Sequence, residues 1–352
     1  MTIQLGLFDI HQIDPTVEDD AAAVFRARLD DLAFADALGG FAVAFTAERH
    51  YLTTYRCQAA SVWLGAASQR TATIRLGTMA YTLPIHPPLA LAEEIATLDQ
   101  LTGGRVEVGV GLGHRVEELA ANDVDPARRV PIFQERLAVL EALFTGQQVT
   151  VESDHTTIRD AFIHPTTVQR PHPPLWFAGT DPTATTWAGQ HGLNLAVGFA
   201  PSQALFGATA GFRQGVEMRR QRGAAPDGIR WGQVALMRHT YVAESDERAE
   251  REMLDDLVRL RGGGTEADRA ERRAQAKAEL TRLTDQEVFV AGGPETIAAT
   301  IARSRATLGI DVYLANVYAA GVEQARVRRT LELLSGPVRD ALAAQPSAPA
   351  PP

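Results

Sequence analysis

Glu48-Arg49-His50 sets an acid, a fixed cation and a titratable imidazole on three consecutive residues. Histidine is the side chain best matched to proton transfer near neutral pH, which makes His50 a candidate catalytic group with Arg49 as its charged neighbour. The plainer alternative is an imidazole bonded to a backbone carbonyl. A second stretch, GTMAYTLPIHPP (77–88), runs from an apolar start into a loop stiffened by Pro84, Pro87 and Pro88. Its His86 either contacts a ligand or only fixes the loop. In a third stretch Gly109, Gly111 and Gly113 recur at every second position ahead of His114 and Arg115. Glycine lets a ligand approach the main chain, and a strand that passes through a bare turn into a helix is a usual frame for a phosphorylated cofactor. A β-bulge and tight turn without a ligand would show the same pattern. Fourth, Gly179-Thr180-Asp181-Pro182-Thr183 opens a helix. Its N–H groups and the hydroxyls of Thr180 and Thr183 read either as an anion cradle or as a plain Thr or Asp N-cap.

These residues need a frame. Apolar alternation and short apolar runs predict strands at 3–8, 41–45, 74–79, 106–110, 175–178, 193–197, 233–242 and 312–317. Helical spacing falls between them, at 15–38, 57–68, 88–101, 133–144, 182–191, on to about 222, 294–308 and 322–334. The first helix carries Glu18, Asp19 and Asp20 in its opening turn, where the dipole favours acids. Eight strands alternating with helices indicate an α/β fold, a closed parallel (β/α)8 TIM barrel. The reading is one domain over 1–340, with an inserted hairpin within about 147–174 and a charged helical insertion at about 246–285. That second insertion is broken by Gly262-Gly263-Gly264, and it is either a solvated face or a helical lid between strands 7 and 8 with a glycine hinge. Residues 341–352 form a Pro/Ala-rich tail expected to be disordered.

A barrel of this kind keeps its site at the C-terminal strand ends. That filter keeps 8–11, 46–51, 79–86, 111–115, 179–183, Phe199, Tyr241 and 316–318.

The net charge of −9, with no basic run, argues against nucleic-acid binding. Cys57 is the only cysteine, so no intrachain disulfide can form, and a reducing cytoplasm is the simplest address. No Cys/His cluster has zinc-site spacing, so no metal is expected. The N-terminus lacks the pattern of a secretory signal, and no apolar run reaches membrane-spanning length. A dinucleotide fingerprint is set aside because His114 and Val116 stand where GxGxxG needs its third glycine.

With these residues in view, the chain resembles the bacterial luciferase-like family of flavin-dependent monooxygenases. The matching stretches are TAERHY (46–51), IRLGTMAYTLPIHPPLALAEEIATLDQLTGGRVEVGVGLGHRVEEL (74–119), WFAGTDPTATTWAGQHGL (176–193) and FVAGGPETIAATIARSRATLGID (289–311). The resemblance implies a barrel, usually a homodimer, that takes reduced FMN from a separate flavin reductase. The flavin reacts with O2 to a C4a-hydroperoxide that oxygenates a small organic substrate. It implies a cis peptide at Met79-Ala80 against the flavin ring and an FMN phosphate held near Gly179, Thr180 and Thr183. Gly111, Gly113, His114 and Arg115 then line the cofactor.

His50 matches the second histidine of the family's Glu-His-His motif. Arg49 stands where the first histidine is expected, and an arginine stays protonated, so proton handling passes to His50, to another residue such as His11, or to the substrate. Leu112 stands where the family carries a phosphate-binding arginine. Phe8, Tyr51, Tyr81, Trp176 and Phe199 are the candidates for an apolar substrate pocket. Two alternatives use the same barrel: hydride transfer with deazaflavin F420, and flavin binding without turnover.

Overall fold

The apolar stretches pair side by side into one parallel sheet that curls until its edges meet. The computed structural model describes residues 3–12, 20–52, 55, 57–223, 228–260, 266–318 and 322–345. Strands β1 (Gln4–Asp9), β2 (Phe41–Thr46), β3 (Arg75–Thr82) and β4 (Val106–Gly111) come first. A short antiparallel pair follows, β5 (Val149–Glu152) and β6 (Thr157–Ala161), which is the hairpin expected within 147–174. Then come β7 (Leu175–Ala178), β8 (Asn194–Gly198), β9 (Val234–Val242), β10 (Phe289–Gly292) and β11 (Val312–Asn316). Eight of these join in the order β11-β1-β2-β3-β4-β7-β8-β9, and β9 pairs with β11 to close the barrel.

The ninth parallel strand, β10, was not expected. It pairs with residues 239–242 of β9, at and beyond the end of the stretch that β11 and β8 hold. Four residues, Phe-Val-Ala-Gly, give too short a run to show a period in the sequence.

The helices are α1 (Ala21–Leu38), α2 (Ala60–Ser68), α3 (Pro88–Thr102), α4 (Val116–Ala121), α5 (Arg129–Phe144) and α6 (Pro182–Gln190). After them come α7 (Ser202–Gln221), α8 (Asp246–Leu260), α9 (Glu266–Asp285), α10 (Pro294–Leu308), α11 (Gln324–Leu333) and α12 (Arg339–Ala344). Local chemistry sets their ends. Proline opens α3 and α10, where a missing N–H costs nothing, and left-handed Gly103 and Gly309 close them. Asp20 is the N-cap of α1 and accepts from the Ala23 N–H at 3.0 Å, so the helix starts at Ala21. Glu18 and Asp19, expected inside its first turn, lie outside the described residues. At the other end of the chain α11 runs through a π-type turn into α12, so helix continues to Ala344, past the expected start of the tail.

The barrel wall has two faces. Val106, Val108 and Val110 of β4 pack outward with helix residues such as Leu64, Leu91, Ile95 and Leu140. Each such side chain contributes roughly 1.5–3 kcal/mol on burial. The inward face holds Phe8, Phe45, Met79, Trp176, Met237 and Leu314. Glu107, the polar half of the β4 alternation, therefore sits inside the barrel and not in solvent, at 3% exposure. It is paired with the guanidinium groups of Arg75 and Arg230 and accepts from Trp176 Nε1 at 2.7 Å. Arg75 also donates to the Val106 carbonyl and to Gln169. This charged plug closes the N-terminal end of the barrel.

Helices α8 and α9 are less solvated than their charge suggests. Met253, Leu254, Ala276 and Leu280 bury an apolar seam with Tyr241 and Ala243. Gly262-Gly263-Gly264 lie outside the described residues. Among the described residues, no helix is long and apolar enough to cross a membrane.

Candidate active site at the barrel mouth

The C-terminal ends of β2 and β3 bring one carboxylate against two imidazoles. Glu48 follows β2 and is buried, at 4% exposure. His86 reaches it from the turn after β3, with Nε2 2.9 Å from Oε1 and 3.1 Å from Oε2. Nε2 of His50 lies 3.2 Å from the same Oε1, and the Thr82 N–H donates to that oxygen at 3.2 Å. Burial alone would push the Glu48 carboxyl up, yet the hydrogen bonds and charges of His50 and His86 hold it at about 2. The reciprocal effect raises the imidazole pKa of His50, through the Glu48 carboxylate 3.2 Å away and despite partial burial. His86 thereby pins the turn after β3 to the end of β2 and presents its imidazole at the mouth, in keeping with both readings of it.

The pieces around this group are held from outside. Arg115 donates to the His50 carbonyl at 3.1 Å. Arg136, on α5, donates one Nη1 to the Pro84 and His86 carbonyls at 2.7 and 2.9 Å. Glu118, at the start of α4, stands 4.0 Å from His50 Nε2, and its own carboxyl is pushed up by burial. Arg49 is half-buried, and its guanidinium charge is disfavoured first by desolvation.

Opposite this polar edge the mouth is apolar. Phe8 and Phe199 meet with ring centroids 5.6 Å apart, and Phe199 stands 4.7 Å from the ring of His239. His239, on β9, was not singled out from the sequence. It lies on the inward side of a strand whose end was judged by Tyr241. Burial and the neighbouring Arg238 lower its pKa to about 4, so it is a neutral imidazole at neutral pH. Asn316, its partner in register on β11, is buried, and its Nδ2 has no hydrogen-bond partner. The Met79–Ala80 peptide is cis, as expected, on the inward wall.

The glycines of the third stretch have separate jobs. A Cβ on Gly109 would stand 2.1 Å from the Thr78 carbonyl, so glycine there allows β3 and β4 to close. Gly113 has φ +73° and presses on Thr82 and Leu119. Only at Gly111 does a Cβ meet nothing nearer than 3.7 Å. Of the three, Gly111 alone has room for a methyl without a clash.

At the head of α6, Asp181 is the N-cap and accepts from the Ala184 N–H at 2.9 Å. Thr180 and Thr183 are exposed beside it. His114 is exposed on the turn after Gly113, and its imidazolium is disfavoured by partial burial and by the charges of Arg49 and Arg115.

Four expected site residues stand off the apolar wall, although the rings of Tyr51 and Tyr81 stay 6.2 and 5.5 Å from those of His50 and His86. His11 is fully buried, with Nε2 2.8 Å from Thr46 Oγ1 and its ring 4.7 Å from Trp63, and so faces the helices. Tyr81 is buried in the same outer layer, its hydroxyl 2.8 Å from Ser61 Oγ. Trp176 is part of the plug. Tyr51 projects into solvent at 59% exposure. All four sit at strand ends or on strands, but alternation turns two of them outward, and depth and a positive φ at Tyr51 remove the others. The expectation of no metal rested on spacing along the chain, whereas Glu48, His50 and His86 converge only in space.

Residues 3–311 match the model of the luciferase-like monooxygenase family. The chain belongs to that family. Among its luciferase-like relatives is 4-hydroxyprotoasukamycin monooxygenase of Streptomyces nodosus subsp. asukaensis, 29% identical over 346 residues, which cover 95% of this chain and 90% of that one. Against the uncharacterized protein y4wF of Sinorhizobium fredii the match is 32% over 196 residues, spanning only 56% of that relative. Among solved luciferase-like folds, the oxygenating constituent of 3,6-diketocamphane monooxygenase of Pseudomonas putida, in complex with FMN, superposes with a TM-score of 0.79 at 18% identity. It covers 97% of this chain and 99% of that one. An F420-dependent secondary alcohol dehydrogenase superposes with a TM-score of 0.72 at 20% identity, covering 97% and 99%.

Proposed function

We propose that this chain is a monooxygenase that uses reduced FMN and O2 to oxygenate a small, largely apolar organic molecule. The observation that carries this reading is the division of the mouth. Phe8, Met79 and Phe199 form an apolar wall, while the titratable groups gather on the opposite edge at Glu48, His50 and His86. A site of that kind excludes water from a reactive centre and still offers a place to move a proton. When bound, reduced FMN supplies the electrons that activate O2.

The residues present fit such a cofactor. Gly111 leaves room beside Ala80, and Asn316 Nδ2 is a buried donor awaiting an acceptor. Gly179, Thr180 and Thr183, with His114 and Arg115, are the groups placed to meet the phosphate, and Gly113 shapes their turn. The Asp181 carboxylate at the same helix start opposes an anion, so these hydroxyls and the two basic side chains must outweigh it. His50, beside the Glu48 carboxylate, is the titratable group of this edge, and Arg49 stays a fixed charge. In this proposal the chain works as a cytoplasmic homodimer with a separate flavin reductase.

A second reading, hydride transfer with F420, draws on the likeness to the alcohol dehydrogenase fold. Titration of the purified chain with FMN and with F420, followed by rapid mixing of the reduced complex with O2, separates the two. FMN binding, with O2 reoxidation at a rate distinct from free flavin, is expected. Tight binding of F420 alone would overturn the monooxygenase reading.

A further inference from the structure

We propose that Glu48, His50 and His86 form a binding site for an imidazole-preferring divalent metal ion, of the Zn2+, Co2+ or Fe2+ type. The three offer one carboxylate oxygen and two imidazole nitrogens, all within 4.8 Å of one another. Two imidazoles and a carboxylate make a three-ligand set that leaves positions open for water or substrate.

The spacing already suits an ion. Metal–ligand bonds of about 2.0–2.1 Å at roughly tetrahedral to octahedral angles set neighbouring ligand atoms about 2.8–3.4 Å apart. Here the Glu48 Oε1 to His86 Nε2 and His50 Nε2 separations are 2.9 and 3.2 Å. Little movement is needed for an ion to enter between them. A second observation points the same way. Although only 3.2 Å from Glu48, His50 Nε2 is a buried nitrogen that makes no hydrogen bond of acceptable geometry. Its contact with Glu48 is close but not directed, and a coordinated ion would supply the directed partner it lacks.

The ligands are also held from behind, as metal ligands usually are. The Thr82 N–H fixes Glu48, Arg115 fixes the His50 carbonyl, and Arg136 clamps the turn that carries His86. Arg49 and Arg115 add positive charge nearby, and Glu118 joins Glu48 in balancing it. Glu118 is itself 4.0 Å from His50 Nε2 and is a candidate for a fourth ligand or for a partner to bound water.

The test uses the full chain without a histidine tag, stripped of metal by a chelator, and with no flavin added. Success or failure here is thus separate from that of the monooxygenase reading. Zn2+ is titrated against a chromogenic competitor. We expect saturation at one ion per chain, with His50→Asn and His86→Asn each weakening the affinity by about 100-fold or more. His155→Asn, on the distant hairpin, should leave it unchanged. Co2+ added to the unaltered chain needs no variant and should give visible absorption bands at one equivalent. No saturable uptake, uptake indifferent to both variants, or a featureless Co2+ spectrum would overturn the proposal.

Discussion

Oε1 of Glu48 lies 2.9 Å from Nε2 of His86, tying the end of β2 to the turn that follows β3. The same oxygen faces His50 and accepts from the Thr82 N–H. One buried charge thus faces two imidazoles and a backbone N–H. Replacing Glu48 by Ala strands them, and unfolding in urea should show a loss of about 1–3 kcal/mol. Glu48→Gln keeps the shape and one acceptor. It should cost less stability, yet lower turnover by about 10-fold or more, because the anion that supports His50 is gone. Equal turnover in wild type and Glu48→Gln would remove this edge from the mechanism.

Gly109 and Gly111 stand two residues apart on β4 and should respond oppositely to alanine. At Gly109 the new methyl would meet the Thr78 carbonyl at 2.1 Å, a backbone collision that no rotamer relieves. Soluble expression or melting temperature should fall sharply. At Gly111 the nearest atoms are 3.7 Å away, so the variant should melt within a few degrees of the wild type while binding FMN more weakly. Fluorescence quenching of FMN measures the second effect.

Glu107 is a buried carboxylate with two guanidinium partners and an indole donor. Removing it leaves Arg75 and Arg230 crowded without their counter-charge. Glu107→Ala should destabilise the chain by about 3–5 kcal/mol, measured by denaturant unfolding. Arg230→Met, whose arginine is the more exposed of the two, should cost clearly less.

Glu141, on α5, gives a pH signature far from the mouth. Burial pushes its carboxyl up to about 7, opposed by Arg219. An acid with a raised folded pKa prefers to be protonated in the native state. Its penalty is absent below the ordinary carboxylate range, and grows as pH rises through the gap to about 7. Glu141→Gln should therefore raise the melting temperature at pH 8.5 and leave it nearly unchanged at pH 4. A constant difference at both pH values would place the effect in packing.

All eight barrel strands were legible because each buried run is bounded by a turn or a helix start. What sequence could not show is which face of a strand meets which layer. In β4 the alternation marks a strand but not its faces: the valines face the helices and Glu107 fills the barrel. The same ambiguity put His11 and Tyr81 in the site when both face outward, and hid His239, which faces in. Glu48, His50 and His86 were each visible at a strand end. Their meeting was not, because it depends on the stagger of β2 against β3 and on Arg136 from a helix forty residues further on. The cis Met79–Ala80 bond came from resemblance and not from any local residue preference.

The charged plug around Glu107 gives the barrel a floor opposite its strand ends. On the proposed reading, cofactor and substrate both come and go on the strand-end side. On that reading a flavin seated against Gly111 would lie beneath any later arrival, and occupancy would be ordered: cofactor first, organic molecule over it, and product away before the flavin is exchanged. A substrate that lingers would then lock its own cofactor in place.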